Sequence, residues 1–244
     1  MQKLDILAIG VHPDDIELGC AGTLIKHVDM GQQVGIVDLT QGELGTRGTP
    51  QLRLQEAQDA AKVMGISVRE NLGMADGFFQ NDKEHQLKLV EYIRKYRPNI
   101  VIANALEDRH PDHGRAGKLI ADACFLAGLV KVATTHNGQP QEAWRPKRVY
   151  HFMQDRFLEP DFIVDVSSTH ARKMEAVKAY KSQFHDPASN EPITYIATGG
   201  FMDKIEYRAA LLGKRIGAAY GEGFTCENTL GISHLGSLLL PELA

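Results

Sequence analysis

Cysteine is scarce in this chain. Cys20, Cys124 and Cys226 are odd in number, far apart and in no CxxC spacing. That excludes a disulfide framework and a thiolate zinc site, and it leaves the three as small buried hydrophobes. Long apolar runs are also missing. The first, Leu4 to Val11, stops at His12, too short to span a bilayer and without a small-residue cleavage site after it. The chain therefore reads as a soluble cytoplasmic protein with no membrane partner. Nor is there an excess of positive charge: 27 Lys plus Arg stand against 31 Asp plus Glu, a formal charge of −4. Nucleic acid gains no general attraction from that balance. Histidine is what the chain has in quantity, 10 in 244 residues, roughly twice an average share.

Leu4 to Val11 (LDILAIGV) suits a strand buried on both faces of a parallel sheet, and Pro13 stops it. Ile16, Cys20, Leu24, Ile25 and Val28 then recur at helical spacing, with Asp14 or Asp15 available as N-cap and Gly31 closing the segment. The unit repeats. Strands are expected at 34–39, 68–72, 100–105 and 149–153, and helices at 52–64, 86–96 and from the 108–113 loop to about 129. Ser168 to Phe184 and Met202 to Tyr220 read as two further amphipathic helices, joined by an irregular stretch from His185 to Gly200. This alternation predicts an α/β, Rossmann-like parallel sheet flanked by helices, with a C-terminal helical extension. No linker or repeat divides residues 1–244, so one domain is expected.

Two loops carry the chemistry. His12-Pro13-Asp14-Asp15-Ile16-Glu17 follows the first strand, and Asp108-Arg109-His110-Pro111-Asp112-His113 follows the strand ending near 105. A single His-Pro-Asp is ordinarily a turn with a helix cap. Two of them, both at the carboxyl edge where open α/β sheets place ligands, bring imidazoles and carboxylates toward one point. Two histidines and one carboxylate leave open positions on a divalent metal, as catalytic sites require. His12, Asp15 and His113 are the expected ligands, for zinc or, with the same donors, iron(II). Asp14 is then placed to take a proton from water attacking a carbonyl, and His110 to serve as acid or electrophile, held by Asp112. The plainer alternatives are a helix cap for Asp14 and a solvated turn for Asp112.

At these residues the sequence resembles the LmbE-like, or PIG-L, family of zinc-dependent N-acetylglucosamine deacetylases. The likeness rests on HPDDIE at 12–17, DRHPDH at 108–113, and TQGELGTRGT at 40–49 followed by Arg53 and Glu56. Within the family, Glu43 to Thr49, Lys181-Ser182-Gln183-Phe184 and Gly223-Phe224 are most similar to the bacillithiol-pathway branch, which removes acetyl from N-acetylglucosaminyl malate. The resemblance implies zinc on His12, Asp15 and His113, Asp14 as general base and His110 as its electrophilic partner. It also implies sugar contacts at Arg53 and Asp76. Tyr195 is the nearest match to a tyrosine that steadies the oxyanion in some relatives. A malate aglycone calls for guanidinium forks, for which Arg47, Arg53 and Arg109 are the candidates beside the plainer reading of surface ion pairs. Gly42 to Gly48 lacks both phosphate-loop spacings and reads as a lid.

The expected activity is hydrolysis of the acetamide of an N-acetylglucosamine conjugate, a small-molecule sugar, by a homo-oligomer. The rivals are a deacetylase of chitin-type oligosaccharides, an amidase of thiol conjugates and, in a different class, a non-catalytic sugar- or nucleotide-binding Rossmann-like module.

Overall fold

Residues 6–10 (ILAIG) contain no polar side chain, and in the computed structural model they form β1 (Ile6–Gly10), buried throughout. The structure describes residues 3–184 and 190–240; residues 185–189 of the expected irregular stretch lie outside the described residues, as do the chain ends. α1 (Asp15–Asp29), β2 (Val34–Thr40), α2 (Pro50–Met64), β3 (Val68–Met74), α3 (Lys83–Tyr96), β4 (Ile100–Asn104) and α4 (Pro111–Ala127) follow in the expected alternation. Their starts are capped as local chemistry dictates. Thr49 accepts from the Leu52 amide ahead of Pro50, Asp82 accepts from the His85 amide, and the His110 ring accepts from the Asp112 amide ahead of Pro111.

The polar segment after α4 folds into a two-stranded hairpin, β5 (Thr135–His136) and β6 (Gln139–Pro140), around Asn137 and Gly138 at φ 51° and 75°. An Asn-Gly pair at positive φ is the turn such hairpins favour. Then come β7 (Arg148–Phe152), β8 (Phe162–Asp165), α5 (His170–Lys178), α6 (Phe201–Arg215) and β9 (Gly221–Thr225). The main sheet has the order β3-β2-β1-β4-β7-β9-β8. Five strands run parallel, while β9 is antiparallel to both β7 and β8.

The C-terminal part is helical as expected, with one strand added to it. Residues 168–220 supply two helices shorter than periodicity implied, and the chain re-enters the sheet as β9. Gly221-Glu222-Gly223-Phe224-Thr225 hides this from a hydropathy reading, because its central carboxylate is buried with a purpose. Glu222 accepts from the amides of Gly22 (3.0 Å) and Thr23 (2.7 Å), where α1 breaks at Cys20, and Lys173 of α5 donates to Glu222 (2.6 Å) and to the Leu18 carbonyl (3.1 Å). One buried ion pair thereby supplies partners to both sides of the helix break. Gly19 lies just before it; a Cβ there would stand 2.1 Å from the Phe152 ring, so only glycine permits the approach.

Each sheet face has its own core. Ile16, Leu24 and Ile25 of α1 pack with Ala57 and Ala60 of α2 and Met174 and Val177 of α5 on one side, and Leu89 and Ile93 of α3 with Leu119 and Ile120 of α4 on the other. β1 and β4 are adjacent and in register from Ile6 opposite Ile100 to Ile9 opposite Ala103, so their carboxyl ends are level. Strand order reverses between them. The chain goes one way from β1 to β2 and the other from β4 to β7, which opens a crevice at that edge.

Candidate active site

Both His-Pro-Asp loops enter this crevice. The carboxylate of Asp15, first residue of α1, is fixed from four directions: Oδ2 accepts from the amides of Val11 (3.2 Å) and His12 (3.0 Å) and from the Asn104 side chain (3.2 Å), and Oδ1 accepts from the Gln154 side chain (2.7 Å). Asn104 ends β4 and Gln154 follows β7, so three strand ends converge on one carboxylate. Neither amide side chain stands out in the sequence, although a polar residue closing an apolar strand is the available signal.

The two imidazoles beside Asp15 are held alike. His12 donates from Nε2 to Asp76 Oδ1 (2.9 Å), with Nδ1 standing 3.6 Å from Asp15 Oδ2. His113 Nδ1 meets Asp108 Oδ2 at 2.6 Å, with Nε2 standing 3.3 Å from Asp15 Oδ1. In each ring one nitrogen is bound to an outer carboxylate and the other faces Asp15. Donor atoms of His12, Asp15 and His113 all lie within 4.8 Å of one another. Carboxylate-oriented imidazoles meeting at an inner carboxylate form the donor arrangement of a divalent metal site, so these residues fit one. His12, His110 and Asp112 make a second close group, but the Asp112 oxygens are already engaged by the Gly77 amide (2.8 Å) and Arg115 (3.0 Å).

The electrostatics agree with that fit. Burial pulls down the pKa of His12, but Asp15 and Asp76 overcome it and raise the value to about 10. Burial likewise opposes His113, which Asp15 and Asp108 raise to about 9. Burial pushes the Asp15 pKa upward, yet the two histidines override it and hold the group well below the usual carboxylate range. Three carboxylates thus draw positive charge into the centre, whether as protons or as a cation.

Asp14 stands apart from this group. Its backbone has φ 125°, a conformation that costs energy for any residue but glycine. It occupies the N-cap position of α1 without making a cap bond. Instead it accepts from Arg53 Nη2 (3.1 Å), which also donates to the Pro13 carbonyl (2.6 Å). Burial raises the Asp14 pKa to about 7, with Arg53 opposing the rise. His110 lies near both ligand rings, at centroid distances of 4.9 Å from His12 and 5.0 Å from His113. Burial and then the charge on those two rings lower its pKa, so the ring is neutral beside them.

His12, Asp14, Asp15, His110 and His113 line one cavity of about 290 Å³, and Arg53, Asp76 and Arg109 line it too. Several expected roles change on contact with the structure. It is the Asp112 amide that meets His110 Nδ1 (3.3 Å), while the Asp112 carboxylate serves Gly77 and Arg115, so the carboxylate does not orient that ring. Asp76 bonds His12 with one oxygen and the Leu44 amide (3.1 Å) with the other. Arg47 is buried and donates to the carbonyls of Ser182 (2.9 Å) and Pro192 (3.2 Å), away from the cavity lining. Tyr195 is outside the lining as well, donating to Asp155 (2.9 Å), which also accepts from Arg109 (2.7 Å). Leu44 and Gly45 of the glycine-rich loop do line the cavity, with Asp76 and Glu191 bonding the loop at the Leu44 and Gly48 amides.

Comparison with known proteins accords with this arrangement. The family model for PIG-L, the GlcNAc-PI de-N-acetylases, matches residues 7–124, which include both His-Pro-Asp loops. Diacetylchitobiose deacetylase of Thermococcus kodakarensis is 28% identical over 228 residues, covering 89% of this chain and 81% of that protein. A probable N-acetyl-alpha-D-glucosaminyl L-malate deacetylase of Bacillus subtilis is 25% identical over 198 residues, covering 74% and 84%. Among solved structures, the conserved protein TT1542 from Thermus thermophilus superposes with a TM-score of 0.84 at 34% identity, covering 94% of this chain and 97% of that one. The shared loops, the shared sheet and identity across nearly a whole relative establish that this chain belongs to the PIG-L, or LmbE-like, family of deacetylases.

Proposed function

We propose that the cavity hydrolyses the acetamide of an N-acetylglucosamine conjugate, with His12, Asp15 and His113 holding one divalent ion, zinc in the first instance and iron(II) as the alternative. The observation that carries this reading is the convergence of those three donors with Asp14 and His110 on one cavity. A divalent ion bound there supplies Lewis acidity, acidifying water and polarising a carbonyl oxygen. Asp14 accepts the proton as water oxygen bonds to the acetamide carbon, and a pKa near 7 suits that task. Arg53 keeps the Asp14 carboxylate aimed. His110 has Nδ1 engaged by the Asp112 amide, so its proton sits on Nε2, ready to donate to the developing oxyanion or to the amine as the C–N bond breaks. Acetate and a free amine leave.

The aglycone divides the relatives. The B. subtilis protein and the loop at 40–49 support N-acetylglucosaminyl malate, the bacillithiol-pathway reading. The T. kodakarensis protein supports a second sugar. Of the three arginines expected to fork a malate, Arg47 serves backbone carbonyls and Arg53 serves Pro13 and Asp14, which leaves Arg109, a cavity-lining residue that also donates to Asp155. Exposed Leu235, Leu238 and Leu239 support self-association, checked by sedimentation velocity. No helix among the described residues is long and apolar enough to cross a membrane.

The test couples elemental analysis of the purified protein with amine release from N,N′-diacetylchitobiose, N-acetylglucosaminyl malate and N-acetylglucosamine, before and after chelation. About one metal per chain and chelator-sensitive release are expected. Bound metal with no release from any of the three overturns the activity, and release that survives complete metal removal overturns the metal's role.

A further inference from the structure

A second cavity, of about 260 Å³, lies between α4, β7 and the segment after β9, and it shares no lining residue with the reaction cavity. The most buried polar side chain in its wall is His151 of β7, 1% exposed. That ring donates from Nδ1 to the Asn104 carbonyl (2.7 Å), and no described residue hydrogen-bonds its Nε2. Burial lowers the pKa of the ring, with the Asn104 carbonyl and the charge of Glu227 opposing, so it is neutral and Nε2 is an acceptor. A buried acceptor left open in a cavity wall calls for a hydroxyl on whatever binds there.

The charge of the wall has one sign in excess. Arg145, Lys147 and Arg148 stand in it against a single carboxylate, Glu227, which leaves two positive charges. Arg145 is held in place, its guanidinium 4.2 Å from the Phe125 ring centroid and donating to the Phe125 carbonyl (2.9 Å). Arg148 donates at 3.4 Å to the Lys147 carbonyl, and neither it nor Lys147 has a carboxylate partner among the described residues. A dianion neutralises that wall, and a hydroxyl beside its charge meets His151. At about 260 Å³, just under the roughly 300–1,000 Å³ usual for small-molecule sites, the cavity suits a small metabolite. What binds there is one residue from the candidate metal ligands. Asn104, whose carbonyl holds His151, donates from its side chain to Asp15 Oδ2 (3.2 Å) and accepts from the Val11 amide (3.1 Å).

We propose that this cavity binds a small hydroxylated dianion, a phosphorylated polyol or a hydroxy-dicarboxylate, as an effector of the metal site. Calorimetric titration of the purified protein with glycerol 3-phosphate and with malate separates the two sources, and sulfate and glycerol serve as the charge-only and hydroxyl-only comparisons. At least one of the two dianions is expected to bind at one site per chain about tenfold tighter than sulfate, with no binding of glycerol. Lys147 and Arg148 are exposed, so Lys147→Gln and Arg148→Gln leave the core intact, and each is expected to weaken that binding about tenfold. His151→Phe is expected to abolish the preference over sulfate. At saturation, competition with a chromophoric chelator should show metal affinity altered about fivefold in wild type. The same anion should leave it unaltered in Arg148→Gln, where any chelation by the free anion is the same. Binding that survives both exposed substitutions lies elsewhere and overturns the proposal, as does sulfate binding as tightly as either dianion, or no binding of either. A bound dianion that leaves metal affinity unchanged overturns the effector role. A change in sedimentation in either exposed variant without a change in anion binding also overturns it, since the wall is then an interface between copies. None of these readouts needs turnover, so failure here is distinct from failure of the deacetylase reading.

Discussion

Asp108 Oδ2 lies 2.6 Å from Nδ1 of His113, and the opposite nitrogen of that ring faces Asp15 at 3.3 Å. Asp108 is also the acceptor for the amides of Arg109 and Arg156, so the carboxylate that aims the imidazole is itself anchored. His113 is thereby fixed in direction before anything binds.

Asp108→Asn is expected to weaken metal binding by about 10–100-fold, the usual loss when an outer partner of a ligating histidine is removed. Competition with a chromophoric chelator measures it. An unchanged affinity would show that His113 needs no such support.

Asp14→Asn keeps the shape of the side chain but removes its capacity to take a proton. Metal content is expected to stay as in wild type, while kcat falls about 10²–10⁴-fold. Retention of most turnover would remove Asp14 from the mechanism.

Lys173 and Glu222 form a buried pair that also caps the break in α1. Glu222→Leu leaves an ammonium and two amides without their partner and is expected to cost about 3–5 kcal/mol in urea unfolding. The double variant Lys173→Met, Glu222→Leu removes the stranded charge and should recover part of that loss. A single variant as stable as wild type contradicts the role given to the pair.

His151 is buried at the end of β7 and donates from Nδ1 to the Asn104 carbonyl (2.7 Å). Burial lowers its pKa, with that carbonyl and the charge of Glu227 opposing. The unfolded chain takes up a proton near pH 6.5 and the folded one only at lower pH, so this contribution is present above about pH 6.5 and erodes as pH falls through it. In chelated protein, wild type should lose more stability than His151→Gln between pH 8 and pH 5.5. His12 and His113, whose pKa values are raised, act in the opposite sense and are common to both.

Local pattern carried much of this protein. Apolar runs and helical spacing marked β1, β2, β4 and the helices between them, because those elements are buried on a regular period. The two His-Pro-Asp loops were legible for the same reason: a strand ending in a loop of imidazoles and carboxylates is a local feature. Tertiary structure decided what each polar side chain meets. Arg47, Arg53 and Arg109 look alike in sequence, yet one bonds backbone at 182 and 192, one holds Asp14, and one joins Asp155. The antiparallel β9 was invisible because the partners of Glu222 lie about 200 residues away at Gly22 and 49 away at Lys173. Periodicity records which face of an element is buried, whereas the partner of a buried charge is set by which distant segments the fold brings together.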